Sequence, residues 1–220
     1  MSSVKVVPSL AGVARAAWDR LDHGPSPFTT WGFLRALELS ESVGPGTGWS
    51  PLYLLVHQAG ELVAAVPAYE KRHSFGEYIF DFAWAQAAPR FAVRYYPKLV
   101  IAAPMTPATG RRALFAPGAD RAALWPVIVD GLRALANERG YSGIHWLFIS
   151  DDEVAPLAAL GFAPRSSLQF HWHNRGYASW DAFAGTLKSR KRKQFRKERE
   201  QAQAQIERLS WVPAREWTDA

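Results

Sequence analysis

The chain has 220 residues, 48% apolar, 13% aromatic and 21% charged, which suits one well-buried domain with or without an appendage and excludes a disordered chain or a repeat array. It has no cysteine, so disulfides, thiolate metal sites and thiol nucleophiles are excluded. The net charge is +6, yet Lys188 to Arg199 alone holds eight basic residues and one acidic one, leaving 18 against 19 elsewhere; the positive charge belongs to one segment.

After a short VKVV segment, Leu10, Val13, Ala17, Trp18 and Leu21 recur at helical spacing, predicting a helix that ends at HGPSP. Thr29 or Thr30 can cap a second helix carrying Trp31, Leu34 and Leu37. LYLLV, HQAGE and LVAAVPAY read as a hairpin. EYIFDFAW alternates, so a strand is expected over Glu77–Trp84, with Glu77, Ile79 and Asp81 on one face. KLVIAAPM reads as another strand, followed by an irregular TPATGRR segment and a helix from about Asp120 to Arg139, with Pro126 able to delay its start. IHWLFI supplies a strand, Asp151 or Asp152 opens a short helix that stops at Gly161, and SLQFHWH reads as a last strand. Ser179 can cap a final helix running to about Leu209. Arg15 and Asp19 interrupt the N-terminal apolar stretch and no run approaches the about 20 apolar residues of a membrane span, so a cytoplasmic protein is expected.

Three constellations carry chemistry. Lys188, Arg190, Lys191, Arg192, Lys193 and Arg196 lie in a run whose self-repulsion favours a polyanionic partner; a solvated helix and an anionic lipid surface are the alternatives. Glu77, Asp81 and His73 concentrate ionisable groups where a strand would hold a general base rigidly. On that strand the two carboxylates would stand ~13 Å apart, too far to share a proton, so each would act singly. Tyr95, Tyr96, Lys98, Thr109, Arg111 and Arg112 surround irregular backbone in a composition suited to an anionic substrate. GPGTG lacks the lysine and spacing of a phosphate-binding GxxxxGK[ST] loop, and no serine stands in GxSxG. His171 and His173 would share a strand face without a third metal ligand, so no metal site is expected.

The blocks WGFLRALELSESVGPGTGW, PAYEKRHSFGEYIFDFAWAQA, RYYPKLVIAAPMTPATGRR, QFHWHNRGYASWDAF and LKSRKRKQFRKERE follow one another between about Pro27 and Glu200. They resemble the FemAB-like predicted N-acyltransferases of bacteria, often labelled peptidoglycan biosynthesis or recognition proteins. The resemblance implies an α+β fold of the GNAT-like acyl-CoA N-acyltransferase type: a mixed, mostly antiparallel sheet flanked by helices. It also implies acyl or aminoacyl transfer to a small-molecule or peptide amine, with acyl-CoA or aminoacyl-tRNA as donor and tRNA or another polyanion on the basic helix. A non-catalytic domain that binds a wall precursor or RNA is the alternative. The chain departs from the pattern in lacking a clear Q/R-x-x-G-x-G/A loop before Asp120. Relatives with two such domains in tandem suggest three parts here: a domain over 1–178, a basic helical arm over 179–209, and, over 210–220, the start of a truncated second domain.

Overall fold

A run of apolar residues can form a strand buried on both faces, and Tyr53–Gln58 (β3) does so: Leu54 and Val56 enter one core while Tyr53 and Leu55 enter the other. The computed structural model describes residues 2–213. β3 turns through Ala59 and Gly60, both left-handed (φ 49° and 86°) as a two-residue hairpin requires, into Glu61–Val66 (β4). The VKVV segment is itself a strand, Ser2–Val7 (β1), antiparallel to β3. With Leu114–Phe115 (β7) on β4, this gives an antiparallel sheet in the order β1-β3-β4-β7.

Pro67 cannot donate to a ladder, and beyond it the expected second hairpin arm changes sheets. Ala68–Lys71 (β5) joins Trp49–Pro51 (β2), Lys98–Ile101 (β6) and Ile144–Trp146 (β8) in the order β2-β5-β6-β8. The β6–β8 pairing is parallel and the others are antiparallel, so the fold is α+β with mixed, mostly antiparallel sheets, as expected.

Arg121–Arg139 (α4) lies between β7 and β8 in sequence. The Asp120 side chain accepts from the Ala123 N–H and left-handed Gly140 ends the helix, while Pro126 sits inside it without delaying its start. Its Trp125, Ile128, Val129 and Leu132 pack with Leu54, Val56, Val66 and Ile101, each large side chain contributing about 1.5–3 kcal/mol. A Cβ on Gly131 would stand 3.0 Å from Leu54 Cδ1 and 3.1 Å from Val4 Cγ1; glycine there permits the close approach. The opposite face is covered by the N-terminal segments. The predicted first helix is broken into a 3₁₀ turn at Leu10–Gly12 and a short helix, Arg15–Asp19 (α1). Thr30 caps Trp31–Leu39 (α2). Leu10, Trp18 and Leu34 meet Tyr53, Leu55, Tyr69 and Val100.

Two expected strands do not form. Residues 77–81 are irregular and run into a helix, Phe82–Ala87 (α3), and residues 168–173 hold no strand. In both, alternation of large and small or polar residues is present without a neighbouring strand to satisfy the backbone. Asp151–Ala159 (α5) closes the first unit's order of elements, with Gly161 left-handed beyond it (φ 88°). Chain contacts divide the molecule between Ser167 and Leu168, upstream of the expected boundary at 178.

Among the described residues the second unit holds two helices where one was predicted, Trp180–Gly185 (α6), capped by Ser179, and Ser189–Ala204 (α7). Trp172, Tyr177, Trp180 and Phe183 pack ring against ring within it. Residues 210–213 carry no strand, and the rest of the predicted start of a second domain, 214–220, lies outside the described residues.

Candidate active site

Register creates the problem from which the site is built. β5 and β6 pair so that Lys71 faces Lys98 directly, and both are buried; like charges opposed across a ladder repel. The two lysines are compensated differently. The Lys98 ammonium donates to Glu77 Oε2 (2.8 Å), Asp81 Oδ2 (2.7 Å) and Ser74 Oγ (3.0 Å), and the side chains of all three charged residues are wholly inaccessible to solvent. Lys71 Nζ donates to the Phe75 carbonyl (3.0 Å) and lies 3.8 Å from the centre of the Trp49 ring. Burial, reinforced by the Lys98 charge, lowers Lys71 to about 8 against the opposing pull of Glu77.

The expected 13 Å separation of Glu77 and Asp81 is therefore corrected: both carboxylates reach one ammonium. They do so because residues 74–81 form a tight loop in place of a strand. Gly76, Tyr78 and Phe80 all have positive φ (77°, 59° and 52°). For the two aromatic residues this costs on the order of 1–3 kcal/mol each, and the ionic anchors at Glu77 and Asp81 flank them. Each turn of the chain sends a carboxylate inward and an aromatic ring outward: Glu77 and Asp81 are buried, Tyr78 and Phe80 exposed.

Around this anchor stand Tyr95 and Tyr96, the two tyrosines expected to bind substrate. Tyr95 donates its hydroxyl to Asp81 Oδ2 (2.6 Å), Tyr96 shares a 2.6 Å hydrogen bond with Ser74, and both rings lie near the Lys98 ammonium. Burial raises Glu77 above the ordinary carboxylate range even against its bond to Lys98. At Asp81 burial acts in the same direction, but hydrogen bonds led by that from Lys98 outweigh it and hold the carboxyl low. One buried oxygen of each carboxylate, Glu77 Oε1 and Asp81 Oδ1, has no hydrogen-bond partner among the described residues. The environments thus drive two neighbouring acids apart, the arrangement that separates acid from base roles. His145 on β8, unremarked in the sequence, faces Tyr95 with ring centres 6.1 Å apart and is lowered to about 4 by burial and then by the Lys98 charge. His73 packs against Gly48, where a Cβ would come within 2.0 Å of its Nε2; burial and then Lys71 lower it.

The other predicted anion holders lie elsewhere. Arg112 is fully buried, its guanidinium donating to the carbonyls of Leu147, Ala108, Gly110 and Arg111; those donors are already engaged within the protein. Glu153 supports this turn by accepting the backbone N–H groups of Arg112 and Ala113. Arg111 pairs with Asp22 and, at 3.6 Å, with Asp152. Together with Arg121, Phe115, Trp125 and Pro156 it lines a cleft of about 320 Å³. Thr109 is exposed on the loop before it. Lys98, predicted to hold a substrate anion, has its protons committed to the protein's own groups.

In the second unit α7 buries no residue. Among the described residues one carboxylate pairs with the basic run, Asp181 with Arg196 at 3.6 Å. Arg192 donates to the Leu187 carbonyl, and Lys191 lies 5.9 Å from the Phe195 ring centre. Lys188 precedes the helix as its N-cap residue, and Arg190 and Lys193 are exposed. No group of His, Asp and Glu suited to hold a metal ion occurs among the described residues, and no helix there is long and apolar enough to cross a membrane.

The family model described as FemAB-like, peptidoglycan biosynthesis/recognition, matches residues 9–220. Among solved structures, the chain is similar to an aminoglycoside acetyltransferase from an uncultured soil metagenomic sample (16% identity, 79% of this chain and 98% of that one, TM-score 0.45). It is also similar to an aminoglycoside 6'-N-acetyltransferase from Acinetobacter baumannii (12%, 80% and 100%, TM-score 0.47). A third is the ribosomal-protein-alanine N-acetyltransferase of Brucella melitensis biovar Abortus (12%, 79% and 100%, TM-score 0.46). No curated protein matches the sequence.

Proposed function

The chain belongs to the FemAB-like family, and from that premise we propose that it serves in N-acyl transfer: an amine attacks the carbonyl carbon of an activated ester or thioester, in cell-wall peptide metabolism. Such a site needs a deprotonated amine, a polarised carbonyl and cations for the leaving group. The observation that carries the reading is the split pair Glu77 and Asp81 on Lys98, with Tyr95 joined to Asp81 and half-buried at the edge of the cluster. In this reading Asp81, ionised, orients the amine or draws its proton through the Tyr95 hydroxyl. Glu77 tunes that charge, and Lys98 fixes both. Arg111, which lines the separate cleft with Arg121, holds the donor's anionic portion. Lys188, Arg190, Lys191, Arg192, Lys193 and Arg196 steer a phosphate-bearing donor such as aminoacyl-tRNA.

One observation favours a second reading, a non-catalytic domain that binds a wall precursor or RNA: the side chains of Lys98, Glu77 and Asp81 present no surface to solvent. The two readings separate on turnover. The chain is offered acyl-CoA and aminoacyl-tRNA with amine acceptors, and transfer is expected from one donor. It is expected to cease in the triple variant Glu77→Gln, Asp81→Asn, Lys98→Met, which removes the cluster's three charges together and leaves neither carboxylate buried without Lys98. A folded triple variant with undiminished turnover removes the cluster from the chemistry, and binding without turnover supports the second reading. RNA affinity should fall steeply with salt; a flat dependence, or one unchanged by Lys191→Gln, Arg192→Gln and Lys193→Gln, removes the polyanion from the scheme.

A further inference from the structure

The outer side of the Lys98-anchored loop is occupied by neither reading. Phe75, Tyr78, Phe80, Phe82, Trp84 and Phe91 follow one another over residues 75–91, and Phe75, Phe80, Trp84 and Phe91 are 68%, 74%, 63% and 76% exposed. Large apolar rings gathered in this way are unusual on a monomeric surface and mark an interaction site. Phe75 contacts Phe82 (ring centres 5.8 Å apart) and His73 (5.3 Å), and Met105, itself exposed, approaches Gly76. Phe75 and Phe82 thus touch, and exposed Phe80, Trp84 and Phe91 follow within the same short segment. The loop beneath is fixed: Tyr78 and Phe80 are held in left-handed backbone between two buried carboxylates.

Charge decides the partner. The carboxylates within residues 72–94, Glu77 and Asp81, are turned inward onto Lys98. The exposed charges around the rings are arginines. Arg90 and Arg94 flank Phe91, and Arg165 lies 5.8 Å from the Trp84 ring centre; among the described residues no carboxylate is within ion-pair distance of these three. Aromatic rings surrounded by arginines, with the acids withdrawn, match the boundary between acyl chains and anionic headgroups. A second copy would bring the same arginines face to face across a two-fold axis.

We propose that residues 75–94, with Arg165, form a peripheral docking surface for an anionic lipid bilayer, onto which Phe80, Trp84 and Phe91 insert and around which Arg90, Arg94 and Arg165 meet lipid phosphates. This is independent of the acyl-transfer reading: a surface of this kind serves a catalytic or a binding domain equally.

The test is flotation of the 220-residue chain with vesicles of phosphatidylcholine alone or with about one third phosphatidylglycerol, at low and high salt. Association is expected with the anionic vesicles and is expected to weaken with salt and on neutral vesicles. Phe80→Ser with Trp84→Ser should reduce it at least about tenfold, and Arg90→Glu with Arg165→Glu by a similar factor on anionic vesicles alone. These side chains are exposed, so the urea midpoint should not move. Lys191→Gln, Arg192→Gln and Lys193→Gln in α7 provide the contrast. If those abolish vesicle binding while Phe80→Ser with Trp84→Ser leaves it intact, the surface is the wrong one. The proposal is equally overturned by absence of binding to anionic vesicles, by undiminished binding to neutral ones, or by a dimer that Phe80→Ser with Trp84→Ser dissociates.

Discussion

Lysines and arginines are handled in opposite ways in two regions of this chain. In the first unit Lys98 is inaccessible to solvent and surrounded by two carboxylates and a hydroxyl, while in α7 the cations stand on a helix that buries nothing. Inside, a charge is tolerated only with partners at hydrogen-bond distance, so position is everything. Outside, water and salt solvate each charge, so density is what matters. The first arrangement sets a structure and the second offers a field.

The largest expected effect breaks the inner arrangement. Lys98→Ala leaves two carboxylates buried without a counter-charge and should cost about 3–5 kcal/mol, measured by urea unfolding, with a concomitant rise in proton uptake on folding. The triple variant Glu77→Gln, Asp81→Asn, Lys98→Met should recover most of that loss; a triple variant as unstable as Lys98→Ala would show that shape, not charge, governs the cluster.

Next come the groups that feel Lys98. His145, lowered to about 4, stays neutral in the folded protein while the unfolded chain takes up a proton below about 6.5. Stability therefore falls as pH drops from about 6.5 to 4, by on the order of 3 kcal/mol, and His145→Asn should flatten that arm of the stability–pH curve. Lys71, lowered to about 8, gives a second arm of the same sign at higher pH: the unfolded chain holds the extra proton between about 8 and 10.4, so stability from this group rises with pH across that window by a comparable amount. Lys71→Met should remove the rise.

A smaller loss is expected from Gly48→Ala. The position has φ +76° and its Cβ would overlap the His73 ring, so about 1–3 kcal/mol should be lost, detectable as a lower Tm. The smallest effect sharpens the contrast: Lys191→Gln, Arg192→Gln and Lys193→Gln together should change stability by less than about 0.5 kcal/mol yet reduce the salt slope of RNA binding by about two.

Much of this layout was legible from residue order. The β3–β4 hairpin, the Asp120-capped α4, the Ser179 cap and the cationic run each declare themselves through local periodicity or composition. Glu77, Asp81, Tyr95, Tyr96 and Lys98 were singled out as residues, but as two separate groups. EYIFDFAW misled because its alternation is that of a strand, although the chain satisfies it with a tight loop: inward carboxylates meet an ammonium, and outward rings meet no neighbouring strand. Lys71 and His145 carried no signal, since nothing local distinguishes a lysine in AYEK or a histidine in IHW from a solvent-facing one.

Sequence by itself determined the secondary elements with strong periodicity, the confinement of positive charge to one segment and the family. Those properties depend on residues within a few positions of one another. Only the tertiary structure decided that Lys71 and Lys98 stand opposite each other, that Glu77 and Asp81 share one ammonium, and that Arg112 faces inward. Each of these follows from which strands pair and in what register, and a one-residue shift along β5 and β6 would turn both lysines to the opposite core.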